Sequence, residues 1–114
     1  MRVIYIASPY TLGDHAENVA VQMNAAHKIL DMGHCPITPL LSHFLHIHRQ
    51  RPYEEWLKMD LSLVEKCDIL LRLPGESKGA DIEVEHAYKC AKPVVRNFDE
   101  LAEILNHQTF STIP

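Results

Sequence analysis

Short apolar runs alternate with longer segments of helical period along this chain, and that alternation leaves few folds open to it. Val3–Ala7 is β-branched and aromatic almost throughout, as in a strand covered on both faces. Residues 8–13 break the run, and Asp14 with Glu17 fits a capping box. A helix is predicted from there to about Met32, with Gly33 as its natural stop and Ala16, Val19, Ala20, Met23, His27 and Leu30 as its apolar face. Residues 35–41 read as a second extended run, kept short or at an edge by two prolines. Residues 42–52 show no clean period and read as a loop. Tyr53–Lys66 is predicted helical, with Tyr53, Trp56, Leu57, Leu61 and Val64 on its apolar stripe. Residues 67–73 then predict a third strand, 79–90 a third helix and 93–96 a fourth strand. A short last helix over 99–105 is capped by Asp99, and residues 107–114 read as a tail or arm.

Strands that alternate with helices pair in parallel through right-handed crossovers. The expected class is therefore α/β: a three-layer α/β/α sandwich with a small parallel sheet, Rossmann-like or flavodoxin-like in strand order. At 114 residues without internal repeats or linkers, the expected organisation is one domain, 1–114.

Composition narrows the function. A formal charge of -4, with Arg49 and Arg51 as the one close basic pair, counts against a nucleic-acid partner. No stretch approaches transmembrane length, and Pro9 interrupts an opening apolar run already too short for a signal peptide, so no membrane partner is expected and the cytoplasm is the expected location. Cys35, Cys67 and Cys90 are odd in number and lack CxxC spacing, which suggests reduced, mostly buried thiols instead of a disulfide framework or a zinc site. His43, His46 and His48 match no zinc pattern and read as solvated side chains or part of a pocket rim, so no metal is expected. "GESKGA" lacks the P-loop pattern and no G-x-G-x-x-G follows the first strand, which counts against nucleoside triphosphatases and nicotinamide dehydrogenases; no cofactor is expected.

The chemistry concentrates in "LLRLPGESKGADIEVEHA", residues 70–87: the end of a strand, a polar turn, and a helix start. In an open α/β sheet, ligands bind beyond the carboxyl ends of the strands, where helix N-termini offer free N–H groups. Glu83 lies in the first turns of that helix with small residues, Gly79 and Ala87, four positions either side, which leaves room for a ligand. An acidic residue there is also accounted for by the helix dipole alone. Glu85 faces elsewhere and has Lys89 at i+4, the pattern of a solvated ion pair. Ser77 is placed to cap the helix, and Gly79 to let a ligand approach the backbone. Asp60 falls on the apolar stripe of its helix, so it must find donors or shift its pKa; a buried cap or ion pair holding a loop accounts for it as well.

These segments together resemble the nucleoside 2-deoxyribosyltransferase superfamily, including its deoxynucleoside 5′-monophosphate N-glycosidases and its small uncharacterised members. "YIASPY" looks like that family's Y-x-A-G-P opening, "MDLSLVEKCDILL" like its D-x(7)-D segment and "GADIEVEHA" like its G-x-A-x-E-x-G-x-A helix start. The resemblance implies Glu83 as nucleophile, Asp60 as catalytic aspartate, Tyr5 as the residue aiming Glu83, and Ser8, Pro9, Tyr10, Ser77 and Gly79 at the substrate. It implies cleavage or transfer of an N-glycosidic bond in a nucleoside or nucleotide, by a homo-oligomer (a dimer or larger). Trp56, Phe110 and Ile113 offer apolar surface compatible with such assembly. Departures are Ser8 for a glycine, Asp81 for a small residue, Glu85 for a glycine, and Ser77 where the transferases carry an aspartate. Serine at that last position is similar to the members that act on monophosphates. A catalytically silent nucleotide-binding or sensing module of the same fold is the alternative.

Overall fold

Four parallel strands form one sheet in the computed structural model, which describes residues 1–111. The strands are β1 (Val3–Ala7), β2 (Cys35–Ile37), β3 (Ile69–Arg72) and β4 (Val94–Val95), in the order β2-β1-β3-β4. The helices are α1 (His15–Asp31), α2 (Ser42–His48), α3 (Tyr53–Lys66), α4 (Lys78–Lys89) and α5 (Phe98–Ser111). Tyr5 in β1 lies opposite Ile37 on one side and Leu70 on the other. This is the three-layer α/β/α arrangement with flavodoxin-like order, and the order in which strands are added switches sides between β1 and β3.

Period-two alternation along β1 sends Ile4 and Ile6 to one face and Tyr5 and Ala7 to the other. Ile4 and Ile6 pack with Ile69, Leu71 and Val95 against Ala25, Ala26 and Ile29 of α1 and Leu101 and Leu105 of α5. Tyr5 and Ala7 pack with Leu70 against Val64 and Cys67 at the end of α3 and Ala80, Val84 and Ala87 of α4. The prolines act as expected, since β2 holds Pro36 at the sheet edge and gives way to a single 3₁₀ turn at Pro39–Leu41.

Several expectations are corrected. Asp14 caps α1 as expected, accepting from the Glu17 N–H at 3.1 Å, but the buried face of the helix is Val19, Gln22, Ala25, Ala26 and Ile29. Ala16, Ala20, His27 and Leu30 face solvent. The phase was hidden because the buried face carries a glutamine and two alanines while Val21 and Leu30 are exposed. The expected loop over 42–52 contains α2, which buries none of its residues and so carries no apolar period. Of the three thiols only Cys67 is buried; Cys35 and Cys90 are half-buried. The last helix is capped by Asn97, whose Oδ1 accepts the Glu100 N–H at 2.8 Å, and it runs on through the expected tail to Ser111. The Phe110 side chain and Ile113 lie outside what is described.

Gln22 shows how the loops above the sheet are fixed. Its Nε2 donates to the Ile6 carbonyl at 3.0 Å and the Ser8 hydroxyl at 2.8 Å, and its Oε1 accepts the Leu40 N–H at 2.9 Å. One buried amide thus ties the end of β1 to the turn after β2. Replacing it strands three polar groups, each costing about 1–3 kcal/mol when unsatisfied and partly relieved by entering water. Gln22→Ala is expected to lower stability by about 2–4 kcal/mol in urea unfolding. A loss below about 0.5 kcal/mol, the scatter of neutral surface changes, would contradict this role.

Candidate active site

The switch point between β1 and β3, at the carboxyl edge of the sheet, opens into a cavity of about 570 Å³. Ser8 and Tyr10 come from the loop after β1, Leu40 and His43 from the segment after β2, and Asp60 from α3. Ser77, Gly79 and Glu83 come from the turn and helix after β3. Six of the eight residues singled out in the sequence therefore share this cavity. Tyr5 lies behind it in the core. Pro9 packs on the β3–α4 turn, where a Cβ added to Gly75 would meet its ring at 2.7 Å; Gly75 also has φ +117°, so only glycine suits the turn.

α4 begins at this edge because Ser77, at extended backbone angles, accepts the Ala80 N–H on its Oγ at 3.1 Å. That start sets Glu83 on the face that meets the sheet, and the Tyr5 hydroxyl donates to Glu83 Oε2 at 2.5 Å. Asp60 approaches from α3, and its Oδ1 is buried with no protein partner. Burial pushes the Glu83 carboxyl up to about 8; the Tyr5 hydrogen bond and Arg72 pull it down, while Asp60 raises it further. Burial likewise lifts Asp60 to about 7, opposed by a hydrogen bond from Glu83. Burial, then the Glu83 charge, keeps the Tyr5 phenol far above its ordinary value, so it acts as a fixed donor. Two neighbouring carboxyls with one largely buried cannot both ionise cheaply, which favours retention of a proton by the pair.

Arg72, at the end of β3, is a residue that sequence patterns missed. Its guanidinium is buried yet donates to the Leu73 carbonyl, to the Gly75 carbonyl at 2.8 Å and to Asp81 Oδ1 at 3.1 Å. It binds the β3–α4 turn together from below and accounts for Asp81, one of the departures from the family pattern. Ser8, another departure, is part of the Gln22 network. Glu85, the third, is exposed, does not line the cavity, and forms no ion pair with Lys89 among the described residues. Asp68 lies at the opposite edge of the sheet, where its Oδ2 accepts the Val3 N–H at 2.7 Å.

The histidines divide. His43 bonds the Tyr10 hydroxyl through Nδ1, and His46 accepts the Trp56 indole N–H at 2.9 Å; both line the cavity, whereas His48 is solvated. Trp56, expected to offer apolar surface, is half-buried in that wall. α2 is thereby tied to the cavity wall through its two half-buried histidines, and Lys78 and Arg51, the latter paired with Glu55 at 3.1 Å, also line the cavity.

A flavodoxin-like sheet with a coupled carboxyl pair at its switch point is the class that fold and site define. Residues 2–97 match the family model of a domain of unknown function, DUF7768, and the chain belongs to that family. Among solved structures it is similar to the 2-deoxyribosyltransferase of Bacillus psychrosaccharolyticus, at 24% identity and a TM-score of 0.65 over 81% of this chain and 69% of that one. It is also similar to the 2-deoxyribosyltransferase of Leishmania mexicana, at 19% identity and a TM-score of 0.62 over 84% of this chain and 63% of that one. At these identities the likeness is one of fold. No curated protein matches the sequence.

The carboxyl pair makes stability depend on pH in a defined direction. Both folded-state values lie above their ordinary ones, so the folded protein binds the extra proton and its stability falls as pH rises from about 4.5 to about 8. Glu83→Gln removes the titrating group while keeping its shape. At pH 9 the variant is expected to melt at least about 4 °C above wild type, the shift of ~1 kcal/mol for a domain of this size, and at pH 4.5 the gap should shrink. Parallel curves at all pH values would contradict the coupled pair.

Proposed function

We propose that this chain, acting as one domain, cleaves or transfers the N-glycosidic bond of a nucleoside or nucleoside 5′-monophosphate, with Glu83 as nucleophile. The observation that carries the reading is that Asp60 and Glu83 both face one nucleoside-sized cavity, with Tyr5 donating to Glu83 at 2.5 Å. The fold likeness to two 2-deoxyribosyltransferases supports it.

The reactive form has Glu83 ionised and the shared proton on Asp60. A Glu83 oxygen attacks the anomeric carbon, the bond to the base nitrogen breaks, and the base leaves with that electron pair and takes the proton from Asp60. A glycosyl ester on Glu83 results. Water, or a second base, then attacks the same carbon, gives its proton to Asp60 and releases Glu83 as carboxylate. Tyr5 aims Glu83 and favours its ionised state; the helix dipole works in the same direction. The Ser77 hydroxyl, the N–H groups at the start of α4, Arg51 and Lys78 suit a 5′-phosphate, whereas Trp56 and Leu57 offer an apolar wall for a base. Assembly of copies is part of the proposal: Phe44, Leu45 and Ile47 of α2 are all more than half exposed beside the cavity.

The test is chromatography of base release from a panel of ribo- and deoxynucleosides and their monophosphates. Wild type should release base from at least one, and Glu83→Ala from none. Asp60→Asn should slow release by about 10²–10⁴-fold, the usual weight of general acid–base catalysis. Because productive chemistry needs one proton on the pair, rate should peak near pH 7–8, and Tyr5→Phe should move the optimum to higher pH by removing the bond that lowers Glu83. Full activity in Glu83→Ala would end the proposal. Thermal stabilisation by one nucleotide without turnover would favour the silent binding module.

A further inference from the structure

Away from the cavity, on the outer side of α3 and α4, three metal-ligating side chains of different chemistry converge. Glu65 lies in the last turn of α3, and His86 and Cys90 sit four residues apart at the end of α4. That spacing stacks the imidazole and the thiol on one side of the helix. Their donor atoms and a Glu65 carboxylate oxygen all lie within 4.8 Å of one another, and Glu65 Oε2 is 2.8 Å from His86 Nε2. In a tetrahedral zinc site, bonds of about 2.0–2.3 Å put neighbouring donor atoms roughly 3.3–3.8 Å apart. Closing this cluster round an ion therefore takes shifts of about an ångström, within side-chain rotation.

We propose that Glu65, His86 and Cys90 form a zinc-binding site. A thiolate with an imidazole selects a borderline-soft ion over magnesium or calcium, which prefer all-oxygen shells. Glu65 is 53% exposed and His86 25%, so the cluster is open to solvent and an ion held by these three side chains would have room for a water as a further ligand. Binding is balanced by one proton: Zn²⁺ joins a neutral imidazole, a carboxylate and a thiol, and the thiol proton leaves to solvent while the His86 proton resides on Nδ1. Affinity accordingly rises with pH. The site clips α3 to α4, the helices that carry Asp60 and Glu83, and Glu65 follows Asp60 by five residues while His86 follows Glu83 by three. Nothing in this proposal depends on the glycosidic reaction. Residue spacing concealed it because the ligands come from two helices and the cysteine stands outside any CxxC.

The test is titration of the tag-free, chelator-treated full chain with Co²⁺, followed by displacement with Zn²⁺. Wild type should bind one equivalent, with a thiolate-to-cobalt charge-transfer band in the near ultraviolet that zinc abolishes. Cys90→Ser should lose the band, Cys35→Ser should keep it, and His86→Ala and Glu65→Gln should each weaken binding about tenfold or more. Zinc should raise the melting temperature of wild type and leave that of Cys90→Ser unchanged. Glu65→Gln is an isosteric change at an exposed side chain and keeps the test valid if a change at the less exposed His86 or Cys90 disturbs folding. No charge-transfer band in wild type, or one that survives in Cys90→Ser, would overturn the site.

Discussion

The hydrogen bond from Tyr5 to Glu83 is the contact on which this architecture turns. It joins the central strand to the start of α4 inside the core, and it exists only if three local conditions hold together. β1 must point Tyr5 at the α3–α4 face; Ser77 must cap α4; and the β3–α4 turn must stay compact. The same burial that makes the bond possible raises Glu83, and Asp60 beside it, far above ordinary carboxyl values. A core designed for stability alone would not hold two carboxyl groups here. Their cost is what the proposed glycosidic chemistry would account for.

Loops at the carboxyl edge of a parallel sheet have no ladder to hold them, and this chain fixes them with buried polar side chains. Gln22 reaches up from α1 to bind the ends of two loops, and Arg72 reaches up from β3 to bind a third. Each satisfies backbone groups that would otherwise be buried without partners. α2 is different in kind: it is attached through Tyr10–His43 and Trp56–His46 and has no fully buried residue.

Much of this was legible in the sequence for specific reasons. Strand runs covered on both faces, a capping Asp14 and a capping Ser77 are local signals, and each marks its element in the structure. Asp60 was visible because a carboxylate on an apolar helical stripe is anomalous. Tyr5 was not visible in that way, since an aromatic residue in a strand reads as core; its relation to Glu83 came from the family resemblance. Gln22 escaped notice because a glutamine in a helix looks like surface, and its presence shifted the apparent face of α1. Arg72 and the Glu65–His86–Cys90 cluster acquire meaning only when separate elements meet, and no spacing within one element announces that.

The direct test of the central claim is a carbon-detected NMR titration of the side-chain carboxyls of Glu83 and Asp60. Two linked steps are expected, near pH 7 and pH 8, each perceptible at both residues, with the Tyr5 phenol protonated throughout. Independent titrations close to pH 4 for both residues would contradict it, since they would mean two solvated carboxylates that share neither a proton nor a dry site.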